Sequence, residues 1–453
     1  SSLMGLAYSA KHAVETLLSG PAASALGGSA LTGRENAVVV DIGGTTTDVA
    51  LIENGAPLLS GDGIRVGKWK TMVKGLFSTS FALGGDSAIR WDKDGALSLG
   101  PDRVIPLCVL ASQHPAVLSV LRSQVREVPA HTLPLHEFLT LGRTDWSRLP
   151  LEEAERRLCR ALEKGPLSLQ QAADVVGVDK YQFRSSLMEK AGVILRAGLT
   201  PTDIMHVRGD YTRYDREASQ LAVQFAAASL HMLPEDLCSR IYDDVSREVF
   251  YAVSQLLLEH ASPHFRRHGL DGGMRELLRL QWENRGTGGD GLLHYAFRAP
   301  AALIGIGGPV HLFLPEAAKA LGAECIIPDC AATANAVGAA TGRMSATAEA
   351  EVRPHGLSPD DSRKGDWEVL CAGQPPRYFA KEDEAAAWAE QRLRERTEKS
   401  LRAQGATGEL SFTCSRSDMA ADILLGGVKL CTRIRVTAST CLLQTATKEN
   451  RHV

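Results

Sequence analysis

One stretch limits what this chain can fold into more than any other. Val38-Val39-Val40-Asp41-Ile42 runs into Gly43-Gly44-Thr45-Thr46, and Thr47-Asp48-Val49-Ala50-Leu51-Ile52 follows. Continuous β-branched and apolar residues predict two short strands, the first buried on both faces, joined by a tight turn. Gly43 and Gly44 carry no Cβ atoms to hold a ligand off the backbone, so their N–H groups are free to face an anion. Thr45, Thr46 and Thr47 add hydroxyl donors. Asp41 ends the first strand, where it suits magnesium, an ion that prefers one carboxylate plus phosphate oxygens. These parts make a phosphate-binding hairpin. It is not a P-loop, because no Lys-Ser/Thr follows and a strand replaces the helix. The competing reading is an ordinary glycine turn between core strands.

At 453 residues the chain is long enough for two or three packed units. Its hydrophobic share of 44% and charged share of 23% are those of a globular protein. A net charge of -3 gives no reason to expect a nucleic acid or an anionic membrane as partner. No apolar run is long enough to span a bilayer, and the N-terminus does not read as a signal peptide. The nine cysteines, among them Cys108, Cys159, Cys238 and Cys371, lack Cys-x-x-Cys spacing. That pattern predicts free thiols in a reducing cytoplasm, not a disulfide framework or zinc site. The opening Ser1-Ser2-Leu3-Met4 is expected of a piece cut from a longer protein.

Along the chain, residues 7 to 18 have helical composition and lead into the small-residue stretch Ser19 to Gly28, which suits either close helix packing or a wall or hinge of a nucleotide cleft, and the two are compatible. Glu53-Asn54-Gly55 is a hairpin turn, and strand-like pieces follow around 57 to 66. Leu83-Gly84-Gly85-Asp86-Ser87 forms a second polar glycine turn, which either presents Asp86 to a substrate or metal in the same cleft or is a plain loop. Asp92 to Gly95 is a further turn. Residues 106 to 300 read as mainly helical, with Leu151, Ala154, Leu158 and Leu162 at helical spacing, and Val245, Val249, Val253 and Leu256 likewise. Within them, 167 to 191 resembles a helix-turn-helix, but Lys180, Arg184 and Lys190 are offset by Asp179 and Glu189, so a structural role is expected over DNA binding. Thr200-Pro201-Thr202-Asp203 has the signature of a helix start, with Thr200 as N-cap. His260, His264 and His268 are four apart, yet Pro263 interrupts them, which argues against a metal. Asn284 to Gly291 reads as a surface loop.

A second informative stretch, Ala302 to His311, is a buried strand ending in Gly307-Gly308-Pro309, with a helix predicted after it over 312 to 321. Cys325-Ile326-Ile327 is then a short strand before the small-residue helix Thr333 to Ala340. That layout places ligands at strand C-termini, where Gly307 and Gly308 would let a flat adenine or ribose approach the backbone. From Glu349 the chain turns polar, with Pro354, Gly356, Pro359 and Gly365 marking a linker. A helix over 383 to 404 and strands near 409 to 414 and 428 to 437 then form a small α/β module.

The motif Asp41-Ile42-Gly43-Gly44-Thr45-Thr46-Thr47-Asp48 resembles the second phosphate motif of the actin-like ATPases. Taken in order with Ser-Gly-Pro-Ala-Ala, Gly-Gly-Asp-Ser, Gly-Leu-Thr-Pro-Thr-Asp, Ile-Gly-Gly-Pro and Ala-Asn-Ala-Val-Gly-Ala-Ala, it is similar to the hydantoinase/oxoprolinase family, A-type subunit. The resemblance covers most of residues 15 to 345. It implies an α/β fold: an actin-like, ribonuclease H-like ATPase lobe (1–105 and 301–348), a large mainly helical insertion (106–300) and a C-terminal α/β module (349–453). It implies ATP and magnesium as cofactors, with Gly43, Gly44, Thr45 and Thr46 on the phosphates, Asp41 on the magnesium, and Gly307 and Gly308 on the adenosine. Asp41, Asp48 and Asp86 are the carboxylates it implies for catalysis. The expected activity is ATP-driven opening of a cyclic amide such as a hydantoin or 5-oxoproline, in an oligomer with a B-type subunit. The alternative is an ATP-driven activator or carboxylase-associated subunit acting on a protein partner. Family A-subunits usually begin with another lobe that has its own Asp-x-Gly-Gly-Thr hairpin, and none precedes residue 38 here. The chain departs from the family where many members have Gly-Gly-Gly-Ser in place of Gly-Gly-Asp-Ser, and in the helical stretch 106 to 200.

Overall fold

A computed structural model describes residues 3–60, 63, 65–66, 69–71, 75–128, 130–143, 145–285, 295–355, 366–423 and 426–441. Most of the expected loop at 284–291 and the linker markers Gly356, Pro359 and Gly365 lie outside the described residues. The fold is mixed α/β, and the chain condenses into two compact units. One gathers 1–30, 57–77 and 335–453, the other 31–56 and 78–334. The cuts fall at other places than the composition shifts suggest. The phosphate hairpin and the helical stretch share one unit.

In the second unit the valine run forms the strand Ala37–Ile42, and Val38, Val39 and Val40 are at most 1% exposed. The run is continuous because the strand lies inside a sheet covered on both faces. It pairs in parallel with Ala302–Ile306 and antiparallel with Thr47–Glu53. Cys325–Ile326 extends the sheet beside Ala302–Ile306, and Ser78–Phe81 pairs with Thr47–Glu53. Ala37, Val39, Ile52, Ile304, Ile306 and Ala334 form a core on one face. The 28-residue helix Pro234–Ala261 packs on the hairpin's second strand and on the helix Val310–Leu321. Both parallel strands end at glycines, Gly43 and Gly307, which puts the two glycine turns at one end of the sheet.

The stretch 106–300 is mainly helical and also holds a four-stranded sheet made of Leu167–Ser168, Phe138–Leu141, Ile194–Gly198 and Ile105–Pro106. These strands are too short for periodicity to separate them from helix. Of the helix-turn-helix read over 167 to 191, the first helix forms as Leu169–Val176, capped by Ser168, while the second is only five residues long, Ser186–Lys190. Arg184 there donates to the carbonyls of Tyr181 and Phe183. His260 pairs with Glu53, while His264 and His268 sit on a separate short helix that Pro263 begins. Among the described residues no group of three or more His, Cys, Asp or Glu is arranged for a metal, and no helix is long and apolar enough to cross a membrane.

In the first unit, the sheet runs in the order Arg377–Phe379, Trp367–Cys371, Arg343–Pro354, Gly426–Cys441, Ser411–Ile423. The last two strands extend well past the predicted 409–414 and 428–437. Helix Glu382–Ala403 covers one face, burying Val352, Val369, Ala389, Leu393 and Ile434. Elsewhere on the sheet, Glu349 opposes Arg435 and Glu351 opposes Arg433 across neighbouring strands. The small-residue segment forms the helix Ser19–Thr32, and Gly338 lies directly on its backbone at Ala23 and Gly27.

Candidate functional site

The hairpin turn is shaped by its own backbone and by the second glycine turn. Gly43 N–H donates to the Thr46 carbonyl at 2.9 Å, closing the loop. Gly85 N–H donates to the Gly43 carbonyl at 3.2 Å, and Asp86 N–H donates to the Gly44 carbonyl at 2.8 Å. A trans peptide points its C=O and its N–H in opposite directions. With the Gly43 and Gly44 carbonyls turned toward the second turn, the N–H groups of Gly44 and Thr45 are turned away from it. Neither N–H donates a backbone hydrogen bond among the described residues, and Gly44 is exposed. Two adjacent open amides of this kind form an anion-binding concavity.

Residue 84 has to be glycine for this arrangement. A Cβ there would lie 2.6 Å from the carbonyl carbon and oxygen of Gly44 and from the amide nitrogen of Thr45. Several side chains pin the second turn. Ser87 Oγ accepts from Gly84 N–H at 2.9 Å, and Thr47 Oγ1 donates to the Leu83 carbonyl at 2.8 Å. Thr202 donates twice to the Gly85 carbonyl, from its hydroxyl at 2.7 Å and its N–H at 3.0 Å. Thr202 belongs to the helix start read from Thr200-Pro201-Thr202-Asp203, which is present with Thr200 as N-cap and Pro201 as first residue. Its role against the second turn has no signature in the motif beyond a hydroxyl in the first turn of a capped helix. Asp203 is fully buried and accepts from the N–H groups of Leu107, Cys108 and Thr200 and from the hydroxyls of Thr200 and Ser219.

Asp41 and Asp48 stand directly opposite each other in the antiparallel ladder. Their side chains therefore leave the same face of the sheet, with Cβ atoms about 5 Å apart. Thr46 Oγ1 donates to Asp48 Oδ2 at 3.1 Å. Like charges in directly opposed positions destabilise a sheet, and a divalent cation offsets that repulsion. Two carboxylates beside open amides match magnesium, which takes one or two carboxylates and fills its octahedron with phosphate oxygens and water. Asp86 is committed differently. Arg103, which sequence reasoning did not single out, donates to its Oδ2 from Nε at 3.1 Å and from Nη2 at 2.9 Å. Asp86 Oδ1 is buried with no hydrogen-bond partner.

Gly307 closes the neighbouring strand with φ of +93°, and its N–H donates to the Ala331 carbonyl at 2.9 Å. A Cβ at Gly307 would stand 2.3 Å from the Ile42 carbonyl oxygen and 2.9 Å from Asp41 Oδ1. Gly307 thus backs directly onto the end of the hairpin strand that carries Asp41. Gly308 faces open space, as Gly44 does.

The architecture is that of a mixed α/β protein with two glycine turns set against one hairpin at the end of a sheet. Residues 2–105, which contain the hairpin and the second turn, match the family model of the hydantoinase/oxoprolinase proteins. No curated protein matches the chain. Among solved structures it is similar to a nucleotide-free acetone carboxylase, described for the mechanism of ATP-dependent acetone carboxylation. That likeness has 16% identity over 94% of this chain and 50% of the other, with a TM-score of 0.46. The ATP-dependent caprolactamase from Pseudomonas jessenii is similar at 15% identity over 93% of this chain and 48% of the other, with a TM-score of 0.44. The chain spans about half the length of these two structures.

Proposed function

We propose that this chain is the ATP-binding part of an A-type hydantoinase/oxoprolinase protein that opens a cyclic amide, and that its sheet and hairpin form an actin-like lobe. The observation that carries the reading is the pair of outward N–H groups at Gly44 and Thr45 beside the opposed carboxylates of Asp41 and Asp48. The family match over residues 2–105 supports the substrate class. In this reading the Gly43–Thr46 turn holds the nucleotide phosphates through backbone N–H groups and threonine hydroxyls. Asp41, with Asp48 opposite, holds magnesium. Gly308, open above the end of the second parallel strand, borders the adenosine. ATP bound there would supply its terminal phosphoryl group to activate the lactam oxygen of the ring to be opened, with ADP as the leaving group. The protein's contribution is positioning and charge stabilisation, which is what phosphoryl transfer requires of a protein. Asp86, held by Arg103 with one oxygen unpartnered, is proposed as the carboxylate that orients substrate next to the loop.

The test is a calorimetric titration of ATP, with magnesium and with EDTA, on this chain and on the native full-length protein, wild type and Asp41→Asn. The expected result is magnesium-dependent binding that Asp41→Asn weakens at least about tenfold, or about 1.4 kcal/mol. Circular dichroism checks that both forms are folded. Absence of magnesium-dependent binding in both folded proteins, or an unchanged affinity in Asp41→Asn, overturns the assignment.

A further inference from the structure

The unit that contains the C-terminal sheet carries a pocket of about 360 Å³, within the range that small-ligand sites occupy. The start of strand Arg377–Phe379 forms one side and helix Glu382–Ala403 the other. Helical spacing brings Trp388, Gln391 and Glu395 to the same face, and Pro375 and Pro376 supply the opposite, apolar rim. Two guanidinium groups line this space, and their states differ. Arg392 is paired: it donates to Glu395 at 2.9 Å, and its Nε donates to the Gln374 amide oxygen at 3.4 Å. Arg377 is exposed and lies 4.9 Å from the centre of the Trp388 ring and 5.7 Å from that of Phe379. Among the described residues it has neither a carboxylate partner nor a hydrogen bond from its guanidinium.

We propose that this pocket binds a small flat carboxylate, an aromatic acid being the simplest case. The Arg392–Glu395 pair cancels its own charge, which leaves Arg377 as the net charge of the pocket. A guanidinium resting on two aromatic rings keeps its planar fork in place, so little side-chain freedom remains to be lost when a carboxylate takes two of its N–H groups. Trp388 and the two prolines present rigid apolar surface for a ring, and Gln391 adds a polar contact at the mouth. A neutral ligand would leave the arginine without its partner, and an inorganic anion would leave the apolar rim uncovered. This site is independent of the nucleotide reading.

The experiment is a calorimetric titration of the full chain with benzoate, with benzamide as its neutral counterpart and inorganic phosphate as an anion without a ring. Wild type is expected to bind benzoate at a single saturable site, with benzamide and phosphate each at least tenfold weaker. Arg377→Ala, at an exposed position, is expected to lose benzoate binding at least tenfold. Arg377→Lys, which keeps the charge but not the fork, is expected to fall between. Arg435→Ala, an exposed arginine elsewhere on the same sheet, serves as the control and leaves binding unchanged. Equal binding of benzoate and benzamide, unchanged binding in Arg377→Ala, or no saturable binding in the folded wild type overturns the proposal.

Discussion

Adding one methyl group at residue 84 or at residue 44 should have opposite consequences, although the two glycines touch. In Gly84→Ala the new Cβ arrives 2.6 Å from three backbone atoms of the Gly44–Thr45 peptide. Carbon contacts settle at roughly 3.5–4.0 Å, so the turns must separate by about 1 Å. That displacement breaks the bonds from Gly85 N–H to Gly43 and from Asp86 N–H to Gly44, now at 3.2 and 2.8 Å. Each is worth about 1 kcal/mol net, and overpacking against backbone costs about 1–3 kcal/mol. Because separating the turns relieves part of the clash, the terms do not add fully, and a local loss of about 2–4 kcal/mol is expected. In Gly44→Ala the Cβ meets nothing within 4 Å, and Gly44 is not in the left-handed region. Its effect on stability should stay within about 0.5 kcal/mol, the range of ordinary surface changes. Hydrogen exchange read by mass spectrometry on peptides spanning 83–91 measures this directly, since Gly85 and Asp86 are the donors. Local opening facilitated by 2–4 kcal/mol speeds their exchange on the order of a hundredfold. The same reading predicts that Gly44→Ala, folded and protected, still loses ATP, because its methyl enters the open side of the loop. If Gly84→Ala exchanges within about threefold of wild type, or if both variants lose protection equally, the account of how the second turn orients the hairpin is wrong.

Two further outcomes follow from buried polar groups in the same unit. His136 is fully buried between Trp91 and Phe225, and neither ring nitrogen has a hydrogen-bond partner. Burial lowers its pKa from 6.5 to about 4, against an opposing pull from Glu137 and with Arg90 adding to the drop. The unfolded chain takes up this proton below about pH 6.5 and the native state only near 4, so stability is full above 6.5 and falls as pH drops toward 4. The loss at the acid end is about 3 kcal/mol. His136→Phe should lack that component in urea denaturation at pH 7 and pH 4.5; a pH dependence identical to wild type refutes it. Asp203→Ala removes an acceptor from five buried donors. Orphaned buried donors cost about 1–3 kcal/mol each, so a loss of at least about 3 kcal/mol in thermal or urea unfolding is expected, and a loss under 1 kcal/mol would show that the cap is not the hub it looks like.

Local rules written into the residues determined a good part of this protein. The valine run reads as a strand buried on both faces, Gly43-Gly44 as a turn and Thr200-Pro201-Thr202-Asp203 as a helix start, because each depends on dihedrals and hydrogen bonds within a few residues. The helix predicted over 383–404 forms as Glu382–Ala403 for the same reason. What the tertiary structure alone decided are contacts between residues far apart in sequence. It set Gly84 on the Gly44–Thr45 peptide, Thr202 on Gly85, Gly307 behind Asp41, and Arg103 on Asp86. It also decided that the short apolar segments at 138–141 and 194–198 pair as strands inside a helical stretch. None of these has a local signature, since a glycine needed for a turn and a glycine needed for a distant backbone's approach are the same residue in sequence. The direction in which the Gly44 and Thr45 N–H groups point is the clearest case. It depends on two hydrogen bonds donated from some forty residues away, and so it exists only once the chain has folded.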